Sequence, residues 1–307
     1  MPRKVMLITD PGVDGAFAGA LALNAGELEV VGLAASAGNV PAEQATRNVH
    51  ILVEQLDPPR WPRLGAALPV DYDVDARALH GANGLGSVEF PCVQLHHPHP
   101  ADKLLSDLVR QHPKEIAVLL FGPATVFARA LDRDPELAEL VERIVMVGGA
   151  WREPGDATAA AEFHFYCDPV SARQVLRCGA PITLLPLDVT RKAVFSPTEL
   201  LHLPRPQSPA TRFLARIVPP AIAASAGLYG VEGCYLQDVF GLVALVQPQA
   251  FKTWLVPVDV ETRGDLTRGA MVCDVRWGTT AKPNVDLVVD VEMGVVRQFI
   301  QRTLSRE

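Results

Sequence analysis

Asp10 and Asp14 flank a Pro11-Gly12 turn that directly follows the apolar run Val5-Met6-Leu7-Ile8. Two carboxylates on a tight turn beside a helix start can hold a hard cation, bind sugar hydroxyls or act as a general base. The same two residues can also serve locally, Asp10 ending a strand and Asp14 capping a helix. Other polar side chains stand in glycine-bearing loops: Asn39 after Gly38, His80 before Gly81, and Asp156 after Gly155. Asp238 opens the apolar segment Val239 to Val246, where an N-cap is the local alternative. The stretch from Ala161 through Glu162, Phe163 and His164 to Pro169 shows neither helical nor strand period, as functional or exposed segments do.

Positioning such residues requires strands that end, and helices that begin, where they stand. Apolar runs at Leu28 to Ala35, Leu64 to Ala67, Ile116 to Leu120, Arg143 to Val147 and Pro181 to Leu187 read as strands buried on both faces. Helical periods at Ala42 to Leu56, Ala101 to Gln111 and Thr125 to Leu131 lie between them. This alternation predicts an α/β fold with an open, mostly parallel central sheet wrapped by helices, whose ligand crevice lies at the carboxyl ends of the strands. Three glycines in His80 to Gly86 predict either a loop passing close to a ligand or a plain surface loop. Prolines 204, 206, 209, 219 and 220 predict several short helices, forming a mobile helical cap around 196–236. Without a repeat or linker, residues 1–307 read as one α/β domain.

Composition narrows the partners. A formal net charge of −7 argues against nucleic acid or an anionic membrane and favours a small molecule. Five cysteines without a C-x-x-C pair fit a reducing compartment. With four strongly apolar residues before Thr9, the amino end is too short for a signal peptide, and no window is long enough to span a bilayer. These features predict a soluble cytoplasmic protein. The tract His96-His97-Pro98-His99-Pro100 reads as a solvated linker, because its prolines prevent helical spacing of metal ligands.

The opening turn resembles the D-x-D-P-G-x-D-D signature of the inosine-uridine nucleoside hydrolases, with Ile8 at its first Asp and Gly15 at its last. The resemblance continues in order through Gly38-Asn39, Thr46-Arg47-Asn48, His80-Gly81, Gly122-Pro123 with Thr125, and Met146-Val147-Gly148-Gly149. It then takes in Ala161-Glu162-Phe163, Asp168-Pro169, Asp188-Val189-Thr190 and the segment Val260 to Gly269. It implies hydrolysis of the N-glycosidic bond of nucleosides, with calcium at the strand ends holding the ribose diol and the attacking water.

Carried over residue by residue, the resemblance makes Asp10 the base and a metal ligand, Asp238 a metal ligand, and the Phe121 carbonyl a third. Asp14, Asn39, His80, Asp156, Glu162 and His164 fall among ribose or neighbouring positions, with Gln237 near the base; Tyr229, close to Gln237 in the chain, offers a hydroxyl donor or buried packing. Gly15 removes a metal-binding carboxylate, His164 replaces an Asn that contacts ribose, and Gln237 stands where many relatives have a His that protonates the departing base. The resemblance also implies a homodimer or homotetramer. Two readings follow: an N-ribohydrolase with a weakened calcium site, or a nucleoside-binding relative that keeps the pocket without turnover.

Overall fold

The computed structural model describes residues 2–70, 72–92 and 98–306. Its strands are β1 Arg3–Thr9, β2 Leu28–Ala35, β3 Arg63–Gly65, β4 Ile116–Phe121, β5 Arg143–Val147, β6 Ile182–Leu185, β7 Phe251–Val256, β8 Val258–Val260, β9 Met271–Cys273 and β10 Val285–Val291. Eight of them form one sheet in the order β3-β2-β1-β4-β5-β6-β10-β7. Every pairing in it is parallel except β10 with β7. The pair β8 and β9 makes a separate antiparallel ribbon. The α/β architecture with a mostly parallel central sheet is thus the one its apolar runs predict.

Side chains alternate across β1. Val5 and Leu7 enter one core with Phe17, Leu52, Leu214 and Val239, while Met6 and Ile8 enter the other with Leu104, Phe127 and Val175. Both sheet faces are therefore covered, and polar side chains are pushed to the strand ends. Parallel pairing brings the carboxyl ends of β1, β2, β4 and β5 to one edge. There they deliver Asp10, the Ser36 to Asn39 loop, Gly122 and Gly148.

Three local expectations are corrected. In place of several short helices, the cap region holds helix Pro197–Leu201 and one long helix, Pro209–Tyr229, which runs through Pro219 and Pro220. The prolines remove the donors to the carbonyls of Ala215 and Arg216, and both residues lie on the exposed side of the helix, where solvent can take the lost donors' place. The helix meanwhile keeps Phe213, Leu214, Ile217, Val218 and Ala221 buried. Secondly, the segment after Ala161 is not irregular throughout. Glu162 caps helix Phe163–Cys167 by accepting the His164 and Phe165 N–H groups, and Asp168 caps helix Pro169–Leu176. Thirdly, neither Asp14 nor Asp238 is a cap. Each lies inside its helix, with Gly12 and Leu236 at the capping positions.

The glycine loop after His80 serves the chain's own packing. Gly84 has φ of +82°, and a Cβ there would stand 2.8 Å from the Pro11 carbonyl and 2.9 Å from Asn48 Nδ2. Asn48 in turn donates to Pro11 O at 3.1 Å and Asn83 O at 2.7 Å, fastening this loop to the acidic turn. Of the histidine tract, His96 and His97 lie outside the described residues, and His99 Nε2 stands 3.4 Å from Asp107. Cys167, Cys178, Cys234 and Cys273 are free thiols. Among the described residues, no helix is long and apolar enough to cross a membrane.

Helix Gln237–Val246 reaches β4 and β5 through Gly241, where a Cβ would stand 2.5 Å from Phe121 and 2.7 Å from Val147. This close approach sets the depth at which Asp238, nearly one turn earlier, enters the sheet edge. Gly241→Ala is expected to destabilise the fold by about 1–3 kcal/mol through overpacking. Urea unfolding followed by circular dichroism checks this, and a stability equal to wild type would show that the helix has room to move.

Candidate active site

Asp10 is 1% exposed and lies in a slot between two glycines. A Cβ on Gly38 would overlap its carboxylate, and one on Gly122 would stand 3.2 Å from Oδ1. The Asn39 backbone N–H donates to Asp10 Oδ2 at 2.9 Å, and the Asn39 side chain donates to the Asp10 carbonyl at 2.7 Å. The Asp10 N–H reaches the Phe121 carbonyl at 3.4 Å. Burial raises the Asp10 carboxyl above its ordinary value, opposed by His164 and the Asn39 N–H.

Above this slot lies a cavity of about 330 Å³, the size of a small-molecule site. Asp14, Asn39, His80, Asp156, Glu162, His164, Tyr229, Gln237 and Asp238 all line it. Asp10 sits beneath them through its bonds to Asn39, and Phe121 is wholly buried in β4. The predicted residues therefore converge at the carboxyl edge of the sheet.

Each wall has its own electrostatics. The Val13 N–H donates to His80 Nδ1 at 3.2 Å, which leaves the His80 proton on Nε2, 3.8 Å from Asp14. Burial lowers the His80 pKa against the pull of Asp14. Glu162 accepts N–H groups of Gly149 at 2.8 Å, His164 at 3.0 Å and Phe165 at 3.1 Å. His164 bridges Glu162 and Asp10, each 3.5 Å from one of its ring nitrogens. Burial alone would lower its pKa, but Glu162 and Asp10 outweigh it and hold the ring well above the usual value. Burial, and then Asp14, push the Asp238 carboxyl well up.

Behind the wall formed by Asp156, Tyr229 and Tyr235 stands a cation that sequence reading misses. Arg191 donates to Asp156 at 3.2 Å and lies over the Tyr229 and Tyr235 rings, 5.4 and 5.7 Å from their centres. It directly follows the Asp188-Val189-Thr190 motif, the one signal that could have drawn notice to it. Gln237 accepts a long bond from the Thr190 hydroxyl at 3.4 Å, so its amide hydrogens remain available to the cavity.

These residues do not fit calcium, which takes six to eight oxygens. Asp10, Asp238 and the Phe121 carbonyl supply few, and an imidazole nitrogen faces Asp10 Oδ1. Gly15 is helical, and a Cβ there would stand 2.8 Å from Thr9 Oγ1 and 3.1 Å from Asp238 Oδ2. Among the described residues, no three acidic, histidine or cysteine side chains are arranged to hold a metal ion. Thr9 Oγ1 and Asp238 Oδ1 are buried without a hydrogen-bond partner among the described residues.

The sequence model of the inosine-uridine preferring nucleoside hydrolases matches residues 5–298. The chain belongs to that family. Relatives of this nucleoside hydrolase family member include a pyrimidine-specific ribonucleoside hydrolase, RihA, of Klebsiella pneumoniae, 33% identical with 99% of each chain covered. A probable uridine nucleosidase of Oryza sativa is 35% identical, covering 85% of this chain and 79% of its own. Among solved structures, a plant nucleoside hydrolase, PpNRh1, superposes with a TM-score of 0.92 at 28% identity over both whole chains. A purine-preferring ribonucleoside hydrolase from Gardnerella vaginalis gives 0.88 at 27% over 99% of each.

Two outcomes follow from this geometry. Gly38→Ala displaces the Asp10 carboxylate, and a misplacement of about 1 Å is worth roughly 10²-fold in rate. Steady-state kinetics of the folded variant on a nitrophenyl riboside checks this, and unchanged kcat would sink it. Asp156 is the second case: burial, then Glu162, push its carboxyl up to about 6 from 3.8, while Arg191 pulls it down. A raised folded-state value means the protonated form favours folding. This stability is fully present below 3.8 and lost as pH rises through about 6. Carboxyl-carbon NMR is expected to show that midpoint, and Arg191→Gln to move it higher.

Proposed function

We propose that this family member is an N-ribohydrolase that splits nucleosides into free base and ribose, with Asp10 as general base. The observation that carries the reading is that Asp14, Asn39, Glu162 and Asp238 line one cavity at the carboxyl edge of the sheet, with Asp10 beneath it and bonded to Asn39. Water adds its oxygen to C1′ and passes a proton to Asp10, while the C1′–N bond breaks and its electron pair leaves on the base. The transition state resembles an oxocarbenium ion, so the carboxylates around the cavity stabilise its positive charge. Asp14 and Asn39 bind sugar hydroxyls in this account, and the exposed end of the cavity near Tyr229, Gln237 and Arg191 takes the base.

The names of the relatives make uridine and inosine the first substrates to try. A single α/β domain in the cytoplasm accords with the continuous sheet and the free thiols of Cys167, Cys178, Cys234 and Cys273. Exposed Trp254, Leu255, Val272, Val275 and Trp277 support a homodimer or homotetramer. The net charge supports a small-molecule ligand over nucleic acid or an anionic membrane surface.

Chromatographic detection of uracil or hypoxanthine released from uridine or inosine tests the reading. Asp10→Asn preserves the shape and the acceptor facing Asn39, and is expected to lower kcat by at least about 10²-fold, the lower range for a lost general base. If wild type binds nucleoside yet releases no base with or without calcium, the pocket serves binding without turnover.

Leaving-group chemistry gives a further outcome. Gln237 donates hydrogen bonds but is not an acid, and burial raises the Tyr229 phenol, so neither delivers a proton readily. Nitrophenyl riboside should therefore react faster than inosine by about 10²–10⁴-fold, the usual worth of general acid catalysis. Gln237→His is expected to narrow that gap. Equal rates on both substrates, unchanged in Gln237→His, would count against the missing acid.

A further inference from the structure

His164 occupies an unusual position for a ring that lines a sugar cavity. Its Nδ1 stands 3.2 Å from the Val147 carbonyl and 3.5 Å from Glu162 Oε1, and its Nε2 stands 3.5 Å from Asp10 Oδ1. Carbonyl and carboxylate oxygens only accept, so a proton on each nitrogen satisfies both ends of the ring. Glu162 is itself fixed by three backbone N–H groups, so the ring is held from below as well as faced from above. The ring therefore stands against Asp10 Oδ1 at the floor of the site.

The neighbouring glycine points the same way. Relative to the family signature, Gly15 removes a carboxylate from the site. The space beside Gly15 is bounded by the Thr9 hydroxyl and an Asp238 oxygen, and among the described residues other than its two chain neighbours no other carboxylate comes within 4 Å of a Cβ placed there.

We propose that the side chain of His164 takes the place of the divalent cation in this chain, its ring standing against Asp10 Oδ1 and holding that carboxylate as base, so that turnover needs no metal. This rests on the N-ribohydrolase reading above. His164 then acts as a positioning residue for Asp10.

The test begins with purified protein stripped with EDTA and desalted. Its metal content is read by mass spectrometry, CaCl₂ is titrated calorimetrically, and D-ribose binding and nitrophenyl riboside hydrolysis are measured in EDTA and in CaCl₂. Expected are no stoichiometric metal, no saturable calcium binding below about 1 mM, the weak end of protein calcium sites, and equal hydrolysis in both buffers. His164→Asn should lower kcat/KM by about 10²–10³-fold, as loss of a preorganised donor does. The double variant Gly15→Asp with His164→Asn should bind calcium and recover hydrolysis only when calcium is added. Stoichiometric calcium in wild type, hydrolysis lost in EDTA and restored by CaCl₂, or an unchanged kcat/KM in folded His164→Asn would each overturn the proposal. The calcium titration uses wild type, so it decides even if a variant fails to fold. Failure of the hydrolase reading looks different: no turnover in either buffer. Ribose binding then decides, since binding in EDTA that is lost in His164→Asn upholds the role of His164. Binding only with calcium, or none at all, ends it.

Discussion

Four carboxylates, those of Asp10, Asp14, Glu162 and Asp238, share one small space, and the structure around them is shaped by their repulsion. Unit charges about 4 Å apart interact by roughly 4 kcal/mol gross at an effective dielectric of 20. Such a cluster persists only if donors and cations reach it. The chain answers each acid differently. Asp10 receives a backbone N–H from Asn39 and faces His164. Glu162 receives three N–H groups. Asp14 faces His80. Asp238 has the least help, and burial drives it toward its protonated form.

These answers depend on backbone coming very close to side chains. Gly38 and Gly122 form the walls of the Asp10 slot, and Gly241 lets a helix settle against β4 and β5. In each case the absent Cβ matters more than conformational freedom, because none of the three has positive φ. A parallel sheet makes this economical. Strand ends arrive together at one edge, so one short loop after each strand contributes a wall.

Much of the fold was legible because strands buried on both faces read as unbroken apolar runs, and the helices between them keep their period. Local rules failed where tertiary packing or solvent decided. Pro219 and Pro220 suggested a break, yet the residues whose carbonyls they orphan are exposed and the buried face of the helix is continuous. Helix Pro169–Leu176 was missed although Asp168-Pro169 is a recognisable start, a cap followed by proline in the first turn. At the site, Asp14 and Asp238 looked locally like caps, and only the structure shows both side chains free to line the cavity. Arg191 was invisible for the opposite reason. Its pairing with Asp156 spans 35 residues and has no local pattern.

Glu162 joins two roles that are ordinarily separate. The same two oxygens start a helix, tether Gly149 at the end of β5 and face the His164 ring. Replacing them with an amide would set a fourth donor group against three existing ones, so the helix start and the sheet edge would loosen together. Evolutionary drift at this position is consequently restrained by folding before chemistry is considered. A descendant of this chain that had lost every trace of turnover would still keep its glutamate, and persistence of the acid is a record of architecture as much as of catalysis.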